Sequence, residues 1–226
     1  MDNKYKYTYE WTANYCYKGT DVLINKLNIT NGQDLFDAER ELVMLRLCEL
    51  NDAQLKGDFD LKYLKSIHKY LFQDVYRWAG DLRKCNIAKQ DLFCLMEHIE
   101  TFGNDIFNNL KKQKYLINYD NDTKLNKLVE LFADINALHP FREGNGRTQR
   151  VFIEFLARIN GLNLDLSLVS KDDMIVASHE SVNNDYSKLK KIFKNNSYFL
   201  SKEETTKYIE MYCSNRMKKI ISKKTV

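Results

Sequence analysis

Apolar residues recur at three- and four-residue steps along most of this chain, which is the spacing that predicts amphipathic helices. In the segment 34–50, for example, Leu35, Leu42 and Leu45 would lie on one face. The segment 124–138 is apolar on nearly every side, which places its helix at the centre of the fold. Further helices are predicted over 21–27, 61–72, 96–110, 147–159, 171–182, 185–193 and 202–221.

Residues 77–95 break the helical pattern. Gly80 interrupts this segment, and short apolar stretches flank the polar residues Lys89, Gln90 and Asp91. Three to five polar residues between two apolar runs is a common spacing for a β-hairpin. The pattern therefore predicts one mainly α-helical domain, in which this short hairpin is the only β structure.

Composition limits the classes of function. The 226 residues carry 35 basic and 31 acidic side chains, and this near balance does not indicate a nucleic-acid binder. No apolar run approaches the roughly 18 residues of a membrane span, so neither nucleic acid nor membrane is expected as a partner. The five cysteines form no CxxC pair and the first residues contain no signal peptide, which favours a reduced, cytoplasmic protein.

The stretch HPFREGNGRTQR, residues 139–150, concentrates site-forming chemistry. It contains the only proline, two of the eight glycines, a histidine, a glutamate and three arginines. Pro140 disfavours the α conformation at the residue before it, so the preceding helix should end at His139. Gly144 and Gly146 allow backbone angles that turn consecutive N–H groups into one concavity, which the start of the next helix also faces.

These features together predict a phosphate site. Arg147 and Arg150 are three residues apart, on neighbouring positions of one helix face. Glu143 is suited to hold Mg²⁺ against phosphate oxygens, and His139 to take a proton from an attacking hydroxyl. Each feature alone is more often structural, as a turn, a helix cap or a surface ion pair. Their coincidence within twelve residues indicates nucleotidyl or phosphoryl transfer from a magnesium nucleotide to a hydroxyl.

The same stretch resembles the signature of the Fic family, His-x-Phe-x-Asp/Glu-Gly-Asn-Gly-Arg-x-x-Arg, and matches it at every defined position. YKGTDVLINKL, FDLKYLKSIHKYLFQDVYRWAGDLR and the N-x-x-H-P-F segment are also similar, so that the resemblance covers about residues 17–200. It implies a helical bundle with a β-hairpin flap over the site. The implied parts are an N-terminal helical extension (about 1–55), a core (about 56–200) and a C-terminal helix (about 201–222).

The resemblance implies a protein adenylyltransferase of the bacterial toxin type, which transfers AMP from ATP to a Ser, Thr or Tyr hydroxyl of a target protein. In that role His139 is the general base, Glu143 holds Mg²⁺, Arg147 contacts the β-phosphate and Arg150 the γ-phosphate. Asn145 also stabilises the α-phosphate. The implied nucleotide-binding residues are Asn136, Gly144, Asn145, Gly146, Arg147, Arg150 and Asn183.

Two expectations concern partners. Ile87 and Lys89 match the flap element that binds the main chain of the target as an added strand. Family members are commonly restrained by a helix whose glutamate would pair here with Arg150. Thr206 and Glu210 have the required spacing, although Met211 stands where the family has Gly or Asn. Without such an internal brake, the chain needs a small antitoxin protein.

Two alternatives stay open. Within the enzyme class, the transferred group would be UMP or a phosphate. In a different class, the chain would be a non-catalytic nucleotide-binding module that regulates partners through occupancy.

Overall fold

Nine α-helices and four short strands make up the part of the chain that the computed structural model describes, which is residues 8–9, 15–88 and 93–222. The order is β1 (Thr8–Tyr9), α1 (Gly32–Glu49), α2 (Leu61–Phe72), β2 (Ile87–Ala88), α3 (Ile99–Lys112), α4 (Asn121–Leu138), α5 (Asn145–Ile159), β3 (Leu162–Leu164), α6 (Lys171–Val182), α7 (Ser187–Asn195), β4 (Ser197–Phe199), α8 (Lys202–Tyr212) and α9 (Asn215–Ser222). The predicted mainly helical class is confirmed.

Helices α4 and α5 form the centre of the bundle. Helix α4 packs against α3, α5, α6 and α7, while α5 packs against α2, α8 and β3. The apolar surround predicted for α4 is confirmed, because Leu128, Val129 and Leu138 are fully buried. The two central helices meet at the loop 139–144, so the loop that carries the candidate site is anchored in the core at both ends.

An aromatic cluster fixes α5 against its neighbours. The ring of Phe152, which is fully buried, makes edge contacts with Phe59 at 5.5 Å and Phe107 at 5.3 Å and a tilted contact with Tyr63 at 6.1 Å, measured between ring centroids. These rings come from three segments of the chain. Phe152 therefore ties α5 to α2 and α3 through apolar burial.

Capping side chains set helix starts that periodicity alone placed too late. Asn31 accepts hydrogen bonds from the backbone N–H groups of Gln33 and Asp34, so α1 begins two residues before the predicted start. Asp120 accepts one from Thr123, and α4 begins three residues early for the same reason. A cap satisfies the unpaired N–H groups of a first turn whose residues need not be apolar.

The predicted helix 21–27 is wrong. Leu23 forms an isolated bridge with Cys16, and the Asn25 side chain bonds to the main chain of Leu23, Leu27 and Ile29. Such local side-chain bonds offer the backbone an alternative to a helix.

The prediction of a single β element is also wrong, because the described residues contain two small sheets. Strands β1 and β2 pair antiparallel, with Tyr9 opposite Ile87, and β3 pairs with β4, with Asn163 opposite Tyr198. Both pairs join segments that are far apart in the sequence, and each strand has only two or three residues. Strands this short carry no alternating pattern that a sequence could reveal.

The predicted helix 202–221 is interrupted at Cys213 and Ser214, which separate α8 from α9. There the chain pairs with Gly57, whose N–H donates to the Tyr212 carbonyl at 2.9 Å and whose carbonyl accepts from the Ser214 N–H at 3.0 Å. No helix in the described residues has the length and apolar character needed to cross a membrane. All five cysteines lie in the described part, and none of them forms a disulfide.

Replacing Phe152 with alanine is expected to lower the free energy of unfolding by about 3–5 kcal/mol, because it leaves a cavity among three rings that cannot collapse together. The measurement is equilibrium unfolding in urea, compared with the wild type. Phe199→Ala makes the same chemical change at a side chain that is 64% exposed, and should cost less than about 1 kcal/mol. Equal losses in the two variants would contradict the assignment of the core.

Candidate active site

The turn between α4 and α5 is held in a conformation that regular structure does not allow. His139 ends α4, as Pro140 predicts, and adopts left-handed angles (φ 45°, ψ 58°) that non-glycine residues seldom take. Both ends of the Asn145 amide bind the main chain of Phe141: Oδ1 accepts from its N–H at 2.8 Å and Nδ2 donates to its carbonyl at 2.7 Å. Phe141 itself is fully buried, which anchors the turn in the core.

His68, in α2, contacts the turn from the side of the core. Its ring stacks on Phe141 with 3.8 Å between centroids. Nδ1 accepts a hydrogen bond from the Gly80 N–H at 2.8 Å, so Nε2 carries the proton and donates to the Glu143 carbonyl at 3.0 Å. Burial lowers the pKa of His68 to about 3, which keeps it neutral. His68 is therefore a packed core histidine.

Gly144 brings the turn against the core. It has a left-handed backbone (φ 82°), and a Cβ there would lie 2.2 Å from the Phe72 ring. Helix α5 starts directly after it at Asn145, two residues before the predicted start. The N–H groups of this first turn therefore face the site, with the positive end of the helix dipole behind them.

The two arginines of the motif have different surroundings. Arg147 Nη2 lies 2.6 Å from Glu39 Oε1 and 3.5 Å from Glu143 Oε1, and its guanidinium lies over the Phe72 ring. Arg150 donates through Nε to the Gly146 carbonyl at 3.2 Å, and no described carboxylate forms an ion pair with it. Burial lowers the pKa of Arg150, while the nearby Glu154 raises it. Arg150 is thus the motif arginine that has no carboxylate partner among the described residues.

Arg83 joins the base of the hairpin to the α4–α5 turn. It is buried, and it donates to the carbonyl oxygens of His139 at 2.8 Å, Cys85 at 2.6 Å and Cys94. The ring of Phe93, in the same hairpin, stacks on the His139 ring with 3.8 Å between centroids. The hairpin and His139 are therefore positioned as one unit.

Strand β2 is paired along both edges at Ile87. The Ile87 carbonyl accepts from the Phe93 N–H at 3.2 Å across the hairpin, which confirms the hairpin predicted over 77–95. On the other edge, Ile87 pairs with Tyr9 of β1. The hairpin tip, with Lys89, lies outside the described residues.

A cavity of about 1130 Å³ opens between the hairpin, the turn and helices α1 and α6. It is lined by the predicted site residues Asn136, His139, Glu143, Gly144, Asn145, Gly146, Arg147 and Arg150. Helix α6 contributes the apolar side chains of Met174, Ile175 and Val182, together with the polar residues Lys171, Asp172, Ser178 and His179. A cationic end beside both apolar and polar side chains in one cavity suits a nucleotide.

The comparisons with known proteins agree with this geometry. Residues 58–157 match the model of the Fic/DOC family. The "Probable protein adenylyltransferase Fic" of Escherichia coli K12 is 34% identical over 180 residues, which is 79% of this chain and 89% of that protein. "Protein adenylyltransferase VbhT" of Bartonella schoenbuchensis is 39% identical over 72% of this chain, which spans 34% of VbhT.

The chain belongs to the Fic/DOC family.

Solved structures of Fic proteins superimpose on this chain. The BepC protein of Bartonella tribocorum, solved with bound AMPPNP, matches with a TM-score of 0.77 at 25% identity, and the match covers 83% of this chain and 98% of the solved chain. The N-terminal Fic domain of a Bartonella quintana effector, solved with bound ADP, matches with a TM-score of 0.79 at 26% identity. That match covers 86% of this chain and 98% of the solved chain.

Other predicted residues lie elsewhere in this Fic/DOC fold. Asn183 is exposed at the C-terminal end of α6, one residue beyond Val182, which lines the cavity. Glu210 bonds to Lys218 and lines a separate, smaller cavity, while the Thr206 hydroxyl donates to the Lys202 carbonyl. The structure does not bring Thr206 or Glu210 to Arg150, because α8 presents them on another surface of the bundle.

Sequence reasoning missed two residues of the Fic/DOC site, Glu39 and Arg83. Both are buried charged side chains, at 7% and 3% exposure, and each joins the turn to a segment that is distant in the sequence. The only feature of the sequence that could have identified them is a charged residue beside the apolar positions of a helix or hairpin. That pattern is also typical of a solvated face.

Replacing Gly144 with alanine is expected to destabilise the fold by several kcal/mol and to weaken nucleotide binding, because the new methyl group overlaps the Phe72 ring. Thermal unfolding and ATP binding measure the two effects. Gly146→Ala is the matched control for stability. Gly146 is helical, and its added Cβ would come no closer than 3.9 Å to Arg150, so the melting temperature should not fall. Similar losses of stability in the two variants would contradict this packing.

Proposed function

We propose that the chain is a protein adenylyltransferase, which transfers AMP from ATP to a Ser, Thr or Tyr hydroxyl of a target protein. The observation that carries the proposal is the α4–α5 turn, where His139, the α5 N-terminus and both motif arginines line one cavity. The adenylyltransferase names of the relatives support it, as do the bound AMPPNP and ADP of the two solved structures.

Different residues of the turn bind the triphosphate and accept the proton. The α5 N-terminus, Arg147 and Arg150 hold the triphosphate, because all three offer N–H donors and positive charge to an anion. The second N–H of the Asn145 amide, beyond the one bound to Phe141, provides one more donor. His139 is fixed by the Phe93 ring and by the Arg83 bond to its carbonyl, so its ring needs little reorganisation to reach a substrate hydroxyl.

In the chemical step, the target hydroxyl oxygen forms a bond to the α-phosphorus of ATP while its proton passes to His139. The bond from the α-phosphorus to the bridging oxygen breaks, and pyrophosphate leaves with its electron pair. Arg147 and Arg150 stabilise the charge that develops on this leaving group.

Glu143 suits magnesium. No group of three or more His, Cys, Asp or Glu side chains able to hold a metal occurs in the described residues. Mg²⁺ in nucleotide sites is commonly bound by only one or two carboxylates together with substrate phosphates, and Glu143 is one partly exposed carboxylate beside the phosphate end. When bound there, the ion would neutralise phosphate charge.

We also propose that restraint of this enzyme comes from a separate small antitoxin protein. Glu210, the carboxylate predicted for an internal brake, is paired with Lys218. No described carboxylate pairs with Arg150, so the cation that a brake would occupy is open to a partner. A cytoplasmic setting fits the five cysteines, which form no disulfide.

The enzyme is tested by incubating it with ATP labelled on the α-phosphate, Mg²⁺ and lysate of its own cells. We expect labelled protein with the wild type and at least a hundredfold slower labelling with His139→Ala, which loses the base but should still bind ATP. His98→Ala is the control, since His98 is an exposed histidine in a turn before α3. An active His139→Ala variant would contradict the role of His139.

Mass spectrometry of the labelled target separates the alternatives. An increase in the target's mass equal to one AMP group supports the proposal. An increase equal to UMP or to a phosphate would instead show that the enzyme transfers that group. ATP binding without any modified protein, together with an unchanged cellular effect of His139→Ala, would indicate the non-catalytic regulator.

A target strand can add to β2 only where an edge is open, and β1 already pairs with the outer edge. We therefore propose that the target displaces β1. Deletion of residues 1–9 should lower the KM for the target several-fold with little change in kcat, because the competing strand is gone. Initial labelling rates against a purified target measure this. The deletion combined with His139→Ala must stay inactive, and a raised KM would overturn the proposal.

A further inference from the structure

A glutamate from α1 reaches into the site, although the motif of residues 139–150 does not include it. Glu39 is buried, with 7% of its surface exposed, and its Oε1 lies 2.6 Å from Arg147 Nη2. Its other oxygen, Oε2, accepts a hydrogen bond from the hydroxyl of Tyr76. The carboxylate is thus held at both oxygens, between one neutral donor and one cation.

Tyr76 holds the second oxygen of the Glu39 carboxylate. It is 2% exposed, and its ring stacks on Trp78 with 4.2 Å between centroids. Burial raises the pKa of Tyr76, and the neighbouring Glu39 raises it further. The phenol therefore keeps its proton near neutral pH and donates it to Glu39.

Arg147 is the side chain that Glu39 and Tyr76 hold in place. Its guanidinium lies 4.7 Å from the centroid of the Phe72 ring, and the contacts with Glu39 and Glu143 all use Nη2. Nη1 and Nε form no hydrogen bond to the described residues, so donors remain for a ligand. One nitrogen anchors the side chain, and the rest of the guanidinium faces the cavity that it lines.

We propose that Glu39 is a positioning residue that holds Arg147 in place to bind the β-phosphate of the nucleotide. This inference rests on the proposed function, which assigns Arg147 to that phosphate. An arginine that is already fixed loses less conformational freedom on binding than a mobile one. The opposite role, in which Glu39 competes with the phosphate for Arg147, is disfavoured. Tyr76 anchors the carboxylate from behind, and only one guanidinium nitrogen is engaged.

The test compares two nucleotides that differ by the β-phosphate. Calorimetry with Mg²⁺ measures the affinity of wild type and Glu39→Gln for ADP and for AMP. We expect the ADP affinity to fall by about tenfold, because a charge-assisted contact that orients Arg147 is lost. The AMP affinity should change by less than about twofold, since AMP presents nothing to Arg147.

Matched variants separate positioning from loss of structure. Glu41→Gln removes an exposed carboxylate of the same helix and should leave both affinities unchanged. Tyr76→Phe keeps the ring and removes only the hydroxyl, so it should lower the ADP affinity in the same direction by a smaller factor. In an Arg147→Ala background, Glu39→Gln should have no further effect on ADP binding, because the residue through which it acts is absent.

Each other outcome has a definite meaning. Tighter ADP binding by Glu39→Gln would overturn positioning in favour of competition, and equal losses for ADP and AMP would overturn it in favour of a general structural role. If the wild type labels its target but Glu39→Gln binds ADP normally, only this inference fails. A wild type that binds neither nucleotide and labels nothing overturns the proposed function as well.

Discussion

The pair of hydrogen bonds between the Asn145 side chain and the Phe141 main chain is the constraint on which the site depends. It closes a five-residue turn between two buried helices, so that the residues within it have no freedom to relax. Gly144 is thereby held against the Phe72 ring, and His139, just before the turn, has left-handed angles. Non-glycine residues adopt such angles only where the surroundings over-determine them, and here a packed core does so on both sides.

Buried polar groups extend this constraint to the rest of the molecule. His68 holds the Glu143 carbonyl from α2, and Arg83 holds the His139 carbonyl together with the base of the hairpin. A buried guanidinium is tolerated when it is well hydrogen-bonded, and each of the three Arg83 nitrogens donates to a carbonyl oxygen. Removing one partner would leave a buried charge uncompensated, so the turn and the hairpin are coupled in stability as well as in position.

The sequence could predict what is local. The central helices, the turn and the residues of the motif follow from periodicity, from Pro140 and from a dense run of site-forming residue types. Glu39 could not be found in this way, since 108 residues separate it from Arg147 and only the packing of α1 against α2 brings them together. The β1–β2 pairing joins Tyr9 to Ile87 for the same reason. Helix 21–27 was wrong because the Asn25 side chain binds the main chain, a competition that apolar spacing does not register.

The unequal surroundings of the two motif arginines determine where control can act. Arg147 already has a carboxylate partner in Glu39, and an arriving anion adds to a guanidinium whose charge is partly balanced. Arg150 forms no ion pair with a described residue, so its charge is open to a negative group, whether a terminal phosphate or the carboxylate of a partner protein. On the proposed function, a terminal phosphate and the carboxylate of an inhibitory partner would both bind at Arg150, while Glu39 holds Arg147 for the β-phosphate.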